Sequence, residues 1–558
     1  MFTRAYPNAS AHEDSRGVFN SLRRRFATRK NQPKSYIHGV PYWPLEMPLL
    51  RLSKQGDIYT LGDACMGNIC MGPTGSGKSS SVGKKIPIAL MTANAGLTAI
   101  CTKPETRDHI IDCAHESGRH LDIVILDERK CFNFILAEAL SNGGFAGVII
   151  DNLMDVLNAA LEPVRRQFGG KEQEFFEMAK DILGKHSLFI DIMGNGGIDL
   201  GRVLKINQSL PTSMASLEEP DKSFCLATLE RAKRNTPRAR RGELELAIGY
   251  FEQEIPLMSD RTRTSIQATW TNCLDMFQRE PLKSLTSGKS SVTPQMVLDG
   301  KIVILDLPLK THFVPAKIMG SLWKRAVQRA IERRLDGWTG DKSLIRPTVI
   351  VSDDGHFFTN KSDNEFQSTS RSARGISLLL TQGIPSLMNE VGKESKSQVD
   401  ELLMNLQCKF FCQTDDLPTR EYASKLCGER KVRRRSGGVN AGTSAKGGSS
   451  SGTSSGWTEA WEPYFRESEF GQLRMGGVAN NCMVDVIVKL PARKFKANGG
   501  WPAMKVAFDQ NYEPDRWRMF LEKEPTARIW SRYVRFRDVL DGKVDWYEWA
   551  WFWAETWS

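Results

Sequence analysis

Gly72-Pro-Thr-Gly-Ser-Gly-Lys-Ser79 is the stretch that decides the fold class of this chain. It fits the pattern Gly-x-x-x-x-Gly-Lys-Ser/Thr of a phosphate-binding loop. A short apolar run, residues 68–71, comes before it, and residues 80–91 have the pattern of a helix. A strand, a glycine-rich turn and a helix in this order point the helix N-terminus at bound phosphates. The sequence therefore predicts a nucleotide site on an α/β fold.

Each residue type in this loop has a chemical purpose. Glycines at positions 72, 75 and 77 remove side chains that would keep an anion away from the backbone N–H groups. We expect Lys78 to reach the β- and γ-phosphates and the Ser79 hydroxyl to ligate Mg²⁺. The predicted cofactors are ATP and Mg²⁺. The predicted nucleotide contacts are Gly72, Pro73, Thr74, Gly75, Ser76, Gly77, Lys78, Ser79 and Ser80.

The composition is that of an ordinary globular protein. At 558 residues the chain is long enough for roughly two to four domains. No run approaches the ~20 consecutive apolar residues that span a bilayer, and residues 1–14 lack the apolar segment of a signal peptide. The eleven cysteines form no Cys-x-x-Cys pair, so neither a zinc site nor a disulfide framework is indicated. The sequence predicts a cytoplasmic protein.

The formal net charge of +11 is concentrated in a few segments, at residues 22–30, 317–334 and 430–435. Such clusters favour a polyanionic partner, either nucleic acid or an anionic membrane surface. Residues 317–334 also carry apolar side chains at helical spacing, which is typical of an amphipathic helix with a solvated basic face. For that segment both interpretations stay open.

Apolar runs of strand length alternate with helical patterns in the first part of the chain, and they predict a parallel sheet. A helical pattern then replaces them, before strand signals return. The strand signals are at 68–71, 97–101, 121–126, 147–150, 301–306, 348–352, 376–380, 409–412 and 483–490. We expect the phosphate-binding loop at the carboxyl end of its strand.

This alternation predicts five segments. They are a basic N-terminal arm (1–56), the first part of a nucleotide-binding domain (57–150), an inserted helical domain (151–285), the second part of the nucleotide-binding domain (286–510) and a tryptophan-rich tail (511–558). Within the second part, residues 437–456 are rich in glycine and serine and predict a flexible loop. Tryptophan is enriched in binding hot spots, so the tail is a candidate docking peptide. The alternatives are a helix packed on the core of the chain and contact with a membrane interface.

A phosphate-binding loop needs a carboxylate at the end of a neighbouring strand to complete the Mg²⁺ shell. Three predicted strands end in acids, namely Asp127, Asp306 and the pair Asp353-Asp354. By pattern alone, Asp127 followed by Glu128 is the best candidate, whereas the same apolar run before Asp306 is followed by Leu-Pro. The other two stay open on this evidence.

Several motifs together resemble the type IV coupling proteins, the TraG/TraD-like ATPases of conjugation within the FtsK/HerA group of P-loop motors. They are the loop at 72–80, Lys103-Pro-Glu-Thr106, the turn at 116–119, and the segments 300–308, 353–392 and 405–429. The resemblance covers most of residues 57–435, is weak in the inserted helices and is absent from the tail. It implies an α/β fold, a RecA-like P-loop ATPase domain with a mostly parallel sheet and an inserted all-helical subdomain.

The resemblance also implies a catalytic set that differs from the choice by pattern. It assigns Lys78 to the phosphates, Asp353 with Ser79 to Mg²⁺, and Asp354 to the attacking water. It also implies that Gln382 is catalytic and that Arg371 is an arginine finger from a neighbouring subunit, with Arg374 near enough to replace it. A finger acting between subunits requires a ring, and the family resemblance implies a homo-hexamer.

Two positions depart from the family pattern. Asp354 stands where the family has glutamate, and its side chain is one methylene shorter, so it brings the carboxylate less close to the water. Cys101 stands where the family has aspartate two residues before Lys103. Both departures bear on the rate of hydrolysis and leave nucleotide binding unaffected.

The resemblance implies an ATP-hydrolysing motor that recruits and translocates DNA or nucleoprotein to a type IV secretion channel. Its partners would be single- or double-stranded DNA without sequence preference, a relaxase or other protein cargo, and channel components. The location would be cytoplasmic, or peripheral at the inner membrane through a partner. The alternative is a soluble cargo receptor or DNA-binding P-loop protein whose nucleotide controls assembly. The helical insertion and the late acid pair disfavour a metabolic kinase.

Overall fold

The computed structural model describes residues 36–37, 40–141, 149–165, 171–391, 396–443 and 449–510. The basic cluster at 22–30 and the tryptophan-rich tail at 511–558 lie outside these residues. None of the described helices is both long enough and apolar enough to cross a membrane.

Within the described residues, nine strands form one central sheet. In chain order they are β1 Asn68–Met71, β2 Gly96–Cys101, β3 Ile123–Leu126, β4 Ile302–Asp306, β5 Thr348–Ser352, β6 Gly375–Thr381, β7 Cys408–Phe411, β8 Met483–Lys489 and β9 Ala503–Asp509. Their spatial order is β9-β8-β7-β1-β6-β5-β2-β4-β3. The strands from β7 to β3 pair in parallel, and β8 and β9 pair antiparallel. The predicted mostly parallel sheet is confirmed.

The strand sequences explain why this sheet is covered on both faces. Every residue of β1 and β2 is buried, as expected for parallel strands that read as continuous apolar runs. Successive side chains of one strand enter opposite cores, since Val303 and Leu305 pack with the helical region while Ile302 and Ile304 pack with the helix after the phosphate loop. The period of two in a strand therefore divides the protein into layers.

Helices and short hairpins surround the sheet. The helices are Leu61–Ala64, Val82–Thr92, Pro104–Glu116, Phe134–Ser141, Ile149–Arg165, Lys171–Asn195, Leu200–Gln208, Phe224–Asn235, Arg241–Ile248, Ile255–Leu257, Asp260–Met276, Leu282–Thr286, Pro294–Leu298, Phe313–Arg333, Lys361–Thr369, Ile384–Val391, Lys396–Asn405, Leu417–Cys427 and Glu467–Phe470. The hairpins pair Tyr36–Ile37 with Val40–Pro41 and Pro48–Arg51 with Ile58–Thr60.

The helical region lies between β3 and β4, and its helices run from Phe134 to Leu298. The predicted strand at 147–150 is wrong, because Ile149 and Ile150 open the helix Ile149–Arg165. Both side chains are buried with Leu153 and Leu157 in one core. Spacings of three and four residues put these side chains on one helix face, and this period was concealed when residues 147–150 were considered alone.

The segment predicted as a flexible loop at 437–456 contains strand instead. Residues Glu429–Thr443 pair antiparallel with Ser449–Pro463, from Glu429 opposite Pro463 to Thr443 opposite Ser449. We call this two-stranded element the ribbon. Its ladder is made of backbone hydrogen bonds, which glycine and serine form as well as any residue, so their abundance concealed the pairing.

The basic segment at 317–334 forms the helix Phe313–Arg333, and its cations point inward rather than to solvent. Lys317, Lys324 and Arg325 are buried. The ion pairs are Lys317–Glu390 at 2.9 Å, Lys324–Asp363 at 2.6 Å, Arg325–Asp155 and Arg329–Asp155 at 2.9 Å each, and Arg333–Glu138. The predicted helix is confirmed, but its basic face is not solvated, and the polyanion site is wrong because the cations already pair with acids. The charges join this helix to neighbouring elements.

Trp323 connects this helix to the sheet and to the segment after β3. It is fully buried, its Nε1 donates to Thr98 Oγ1 at 2.7 Å, and its ring packs edge-on against Phe132 with 4.9 Å between centroids. The indole ring therefore fills a site in the core between this helix, the sheet and the segment after β3.

We predict that Trp323→Ala lowers the free energy of unfolding by about 3–5 kcal/mol, because it opens a cavity and leaves Thr98 without its donor. Urea unfolding followed by circular dichroism measures this. The control is Trp338→Ala, at a ring that is 42% exposed, for which we expect a change within about 0.5 kcal/mol. A loss below about 1 kcal/mol for Trp323→Ala contradicts the assignment of this residue to the core.

Candidate nucleotide site

The three loop glycines are required for different reasons. Gly75 has φ +84° with nothing near its Cβ position, so only its backbone conformation calls for glycine. A Cβ at Gly72 would lie 2.9 Å from Cys412 Cβ, and one at Gly77 would lie 2.6 Å from Val484 Cγ2. Gly77 also has φ +86°. The loop is therefore shaped both by its own turn and by the packing of the chain around it.

The loop has the groups that an anion requires. None of the hydrogen bonds within the described part of the chain uses the backbone N–H of Gly75, Gly77, Lys78 or Ser79. Lys78 Nζ donates to the carbonyls of Gly72 at 2.5 Å and Pro73 at 3.0 Å, which use two of its three protons. Successive unpaired N–H groups beside an ammonium fit the phosphates of a nucleotide.

The helix after the loop is Val82–Thr92, so it begins two residues later than the sequence predicts. Ser81 precedes its first residue, and the Ser81 hydroxyl donates back to the carbonyl of Gly77 at 2.6 Å. This bond ties the helix start to the loop. The helix N-terminus therefore lies at the end of the loop, where its partial positive charge favours an anion.

One of the two strands that pair with β1 is β6, and Gln382 follows β6 at the edge where the loop lies. Thr381 pairs with Met71, and the Gly72 N–H donates to the Thr381 carbonyl at 3.2 Å. Gln382 follows directly and is half-buried. The structure thus places Gln382 beside the first residue of the phosphate loop.

One helix N-terminus holds both acids of the late pair. Asp353 is buried and accepts a hydrogen bond of 2.6 Å from Thr106 Oγ1. Asp354 is buried with φ +44° and forms an ion pair of 2.6 Å with Lys103 Nζ. This bond raises the pKa of Lys103. Lys103 and Thr106 flank the start of the helix Pro104–Glu116, so the helix orients the two carboxylates.

Strand order separates the three candidate acids. Neighbouring strands lie about 4.8 Å apart. In the sheet order, β5 with Asp353 is two strands from β1, β4 with Asp306 is four, and β3 before Asp127 is five. These counts correspond to about 10, 19 and 24 Å across the sheet. Among the three, Asp353 is the acid nearest to the strand that leads into the phosphate loop.

The two distant acids have local partners. Asp127 accepts from Arg129 Nη2 at 2.5 Å and from the Arg129 backbone N–H at 3.1 Å, in a turn after β3. Asp306 accepts from Arg107 at 2.9 Å. Both bonds are typical of charged side chains that stabilise a strand end.

Cys101, which departs from the family pattern, ends β2 opposite Asp306. The thiol is buried, and burial raises its pKa, so it stays neutral at physiological pH. This position therefore brings no charge to the edge of the sheet where the acids lie.

His356 is a residue of the site that sequence reasoning missed. It is buried two residues after Asp354, and its Nδ1 lies 3.4 Å from Thr381 Oγ1. Burial lowers its pKa, so the ring is neutral at neutral pH. It connects the segment after β5 to the end of β6. The signal was a histidine close behind an acid pair, which is too common a pattern to select it.

The end of β9 was also missed as part of the loop surroundings. Gln510 Nε2 donates to Ser80 Oγ at 2.5 Å, and the Gly477 N–H donates to Gln510 Oε1 at 2.7 Å. The chain after the ribbon therefore covers one side of the phosphate loop. No motif in the sequence could have shown this contact, since the two partners are 430 residues apart.

Arg371 and Arg374 lie at the other edge of the sheet. Both precede β6, whose seven residues separate them from the loop edge by about 20 Å. Arg371 is exposed, whereas Arg374 is buried and its Nε donates to the Lys342 carbonyl at 3.3 Å. Neither guanidinium is near the phosphate loop of its own chain, and of the two only Arg371 is exposed.

The comparisons with known proteins agree with the resemblance to the coupling proteins that the sequence motifs carry. Residues 356–475 match the family model described as the TraM recognition site of TraD and TraG. Structures of the bacterial conjugative coupling protein TrwB are similar to this chain over 88% of its length and 92% of theirs. They are the unbound form (13% identity, TM-score 0.53), the sulphate complex (14%, 0.54) and the complex with ADP and Mg²⁺ (14%, 0.53). No curated protein matches the chain.

The resemblance to the coupling proteins is thereby confirmed for the TraM recognition segment in sequence and for most of the chain in fold. The predicted fold class, a RecA-like domain with a mostly parallel sheet and a helical subdomain, is also confirmed. At this level of identity the structural likeness establishes the fold alone.

We predict that Gly77→Ala lowers the affinity for ADP with Mg²⁺ by about tenfold or more, because the new Cβ collides with Val484 and a positive φ costs about 1–3 kcal/mol. Titration with a fluorescent ADP analogue measures this. The control is Gly242→Ala, in a helix where nothing lies within 4 Å of the Cβ position. Wild-type affinity in Gly77→Ala would mean that this loop does not bind the phosphates.

Proposed function

We propose that this chain, which shares its fold with TrwB and carries a segment matching the TraM recognition site of TraD and TraG, is an ATP-hydrolysing coupling protein that moves DNA or nucleoprotein towards a type IV secretion channel. One observation carries the proposal. The phosphate loop with Lys78, the buried Asp353 and Gln382 come from β1, β5 and the strand between them, at one edge of the sheet. Such an arrangement positions a nucleotide, a metal ion and a water for hydrolysis.

Ser79 and Asp353 are the proposed Mg²⁺ ligands. A hydroxyl and a carboxylate supply the oxygen atoms that Mg²⁺ prefers. When bound, the ion neutralises charge that develops on the phosphates. The Thr106 hydroxyl, which donates to Oδ2 of Asp353, orients the carboxylate.

Asp354 and Gln382 are the proposed residues for the attacking water, and Lys78 stabilises the phosphate charge. Asp354 accepts from Lys103 in this structure, so water would compete with that ion pair. Arg371 is proposed to act on the nucleotide of a neighbouring subunit, which its exposure at the far edge of the sheet supports. This role requires the homo-hexameric ring that the family resemblance implies.

The proposed substrate is DNA, single- or double-stranded, gripped by its phosphates without sequence readout. A net charge of +11 supports such a partner. The proposed protein partners are a TraM-like relaxosome protein, which the match at 356–475 supports, together with a relaxase cargo and components of the channel.

One observation favours the alternative, a cargo receptor whose nucleotide controls assembly. The ion pair of Lys103 with Asp354 holds a carboxylate that is already one methylene shorter than the glutamate of the family. A receptor of this kind would bind ATP and turn it over slowly.

We predict that the full-length protein hydrolyses ATP and that single- or double-stranded DNA stimulates the rate. Lys78→Ala should lower the stimulated rate about 100-fold or more, because the γ-phosphate loses its ammonium partner. A coupled assay for phosphate release measures both. Binding of ATP without turnover, with or without DNA, supports the receptor instead of the motor.

We predict that Asp353→Asn lowers the rate of hydrolysis about 100-fold, since the Mg²⁺ shell loses its carboxylate. Asp127→Asn and Asp306→Asn are matched controls at other strand ends, and we expect rates within about twofold of the wild type. Phosphate release at saturating Mg²⁺ is the measurement. A large loss in Asp127→Asn combined with a normal rate in Asp353→Asn reverses the assignment.

A further inference from the structure

The ribbon leaves the body of the protein at the edge of the sheet opposite the phosphate loop. At its base the Tyr464 N–H donates to the Gly428 carbonyl at 2.8 Å, and the Tyr464 ring stacks on Trp501 at 4.8 Å. Trp501 comes just before β9. Because β9 pairs antiparallel with β8, β9 begins at the edge of the sheet away from the phosphate loop. The ribbon is therefore remote from the phosphate loop and from the acids Asp353 and Asp354.

One face of the ribbon carries three cations and two tryptophans. Side chains two apart on a strand share a face, and directly opposite residues of the partner strand lie on the same face. The register puts Lys431 opposite Trp461, Arg433 opposite Glu459 and Arg435 opposite Trp457. Trp457 is 69% exposed and Trp461 is 63% exposed. Large aromatic side chains are seldom left so accessible without a partner.

This face has an excess of positive charge. Glu459 pairs with Arg433 at 3.1 Å and with Lys431 at 3.5 Å, and Glu429 lies at the base of the same face, so three cations stand against two carboxylates. Lys431 Nζ lies 5.4 Å from the centre of the Trp461 ring. Within the described residues Arg435 has no ion-pair partner. A ligand for this face would be an anion with flat apolar surfaces.

The opposite face lacks this combination. Glu462 lies there and forms ion pairs with Arg434 and, at 2.8 Å, with Arg466. Thr458 and Ala460 occupy the positions beside it on the same strand. That face has no exposed ring among its described residues, so the two faces serve as test and control.

The spacing of the rings suits a single nucleic-acid strand. Trp457 and Trp461 are four residues apart, which is about 14 Å along a strand. Nucleotides in one strand of B-form DNA rise about 3.4 Å each. Both rings are therefore within reach of one short unpaired segment, and the cations between them are within reach of its phosphates.

We propose that this face of the ribbon binds single-stranded DNA, with bases stacked on Trp457 and Trp461 and phosphates at Lys431, Arg433 and Arg435. A duplex hides its base faces, whereas unpaired bases stack on exposed aromatic rings without sequence preference. Glu459 between the rings disfavours burial of the face in a lipid surface. This inference rests on the proposed function in taking DNA as the substrate, and it assigns a second contact, away from the nucleotide.

The test is anisotropy of a labelled oligothymidine titrated with full-length protein. Trp457→Ala with Trp461→Ala should raise the Kd about tenfold or more, because two stacking platforms are lost. Trp457→Phe with Trp461→Phe should retain most of the affinity. Arg433→Ala with Arg435→Ala should reduce the slope of log Kd against log salt by about 1.4, at about 0.7 for each phosphate contact on a single strand.

Matched controls are Thr458→Ala on the opposite face and Trp338→Ala elsewhere, neither of which should alter the Kd. The proposal is overturned if the alanine pair binds oligothymidine as the wild type does. It is also overturned if binding to a blunt duplex falls to the same extent, or if only binding to phosphatidylglycerol vesicles or to an acidic protein partner is lost.

ATP hydrolysis without DNA separates this proposal from the proposed function. All ribbon variants should keep the basal rate, since none of the substituted residues belongs to the proposed catalytic set. If the wild type hydrolyses no ATP while the double alanine variant still has a weakened affinity for oligothymidine, the ribbon proposal stands and the proposed motor function is wrong. If DNA stimulates hydrolysis equally in the alanine pair with an unchanged Kd, the motor stands and the ribbon proposal fails.

Discussion

Parallel pairing of β1, β6 and β5 is the constraint on which the rest of this structure depends. Parallel strands end at the same edge, so the residues that follow each strand are brought together although they are far apart in the chain. The phosphate loop, Gln382 and Asp353 follow these three strands. The site is therefore a property of the strand order, and the helical region between β3 and β4 is accommodated without disturbing it.

The same edge gathers charges that have to be paired once they are buried. Asp353 and Asp354 are held by Thr106 and Lys103 at one helix start. The cations of the helix Phe313–Arg333 are likewise matched with acids of other elements. A buried charge without a partner costs several kcal/mol, so these pairs constrain how the elements dock. In this arrangement the proposed nucleotide, Mg²⁺ and water contacts occupy one edge of the sheet, whereas Arg371 and the proposed DNA contact lie at the other.

Local patterns predicted much of the fold but not its pairing. The strand at residues 68–71 and the strand at 348–352 are found where the sequence places them, since each is a short apolar run between turns. The ribbon was missed because its glycines and serines carry no strand signal, whereas backbone pairing needs none. The ion pairs of the helix Phe313–Arg333 were missed because one-dimensional patterns do not show which acids face a cation.

The sequence by itself determined the phosphate loop, the α/β class and, through its motifs, the resemblance to the coupling proteins. These depend on residues close together in the chain, where backbone geometry and side-chain chemistry act locally. Only the tertiary structure decided that Asp353 lies nearer to the loop than Asp127, that Arg371 lies away from its own loop, and that two tryptophans share a basic face. Each of these depends on strand order and register, which long-range backbone pairing determines.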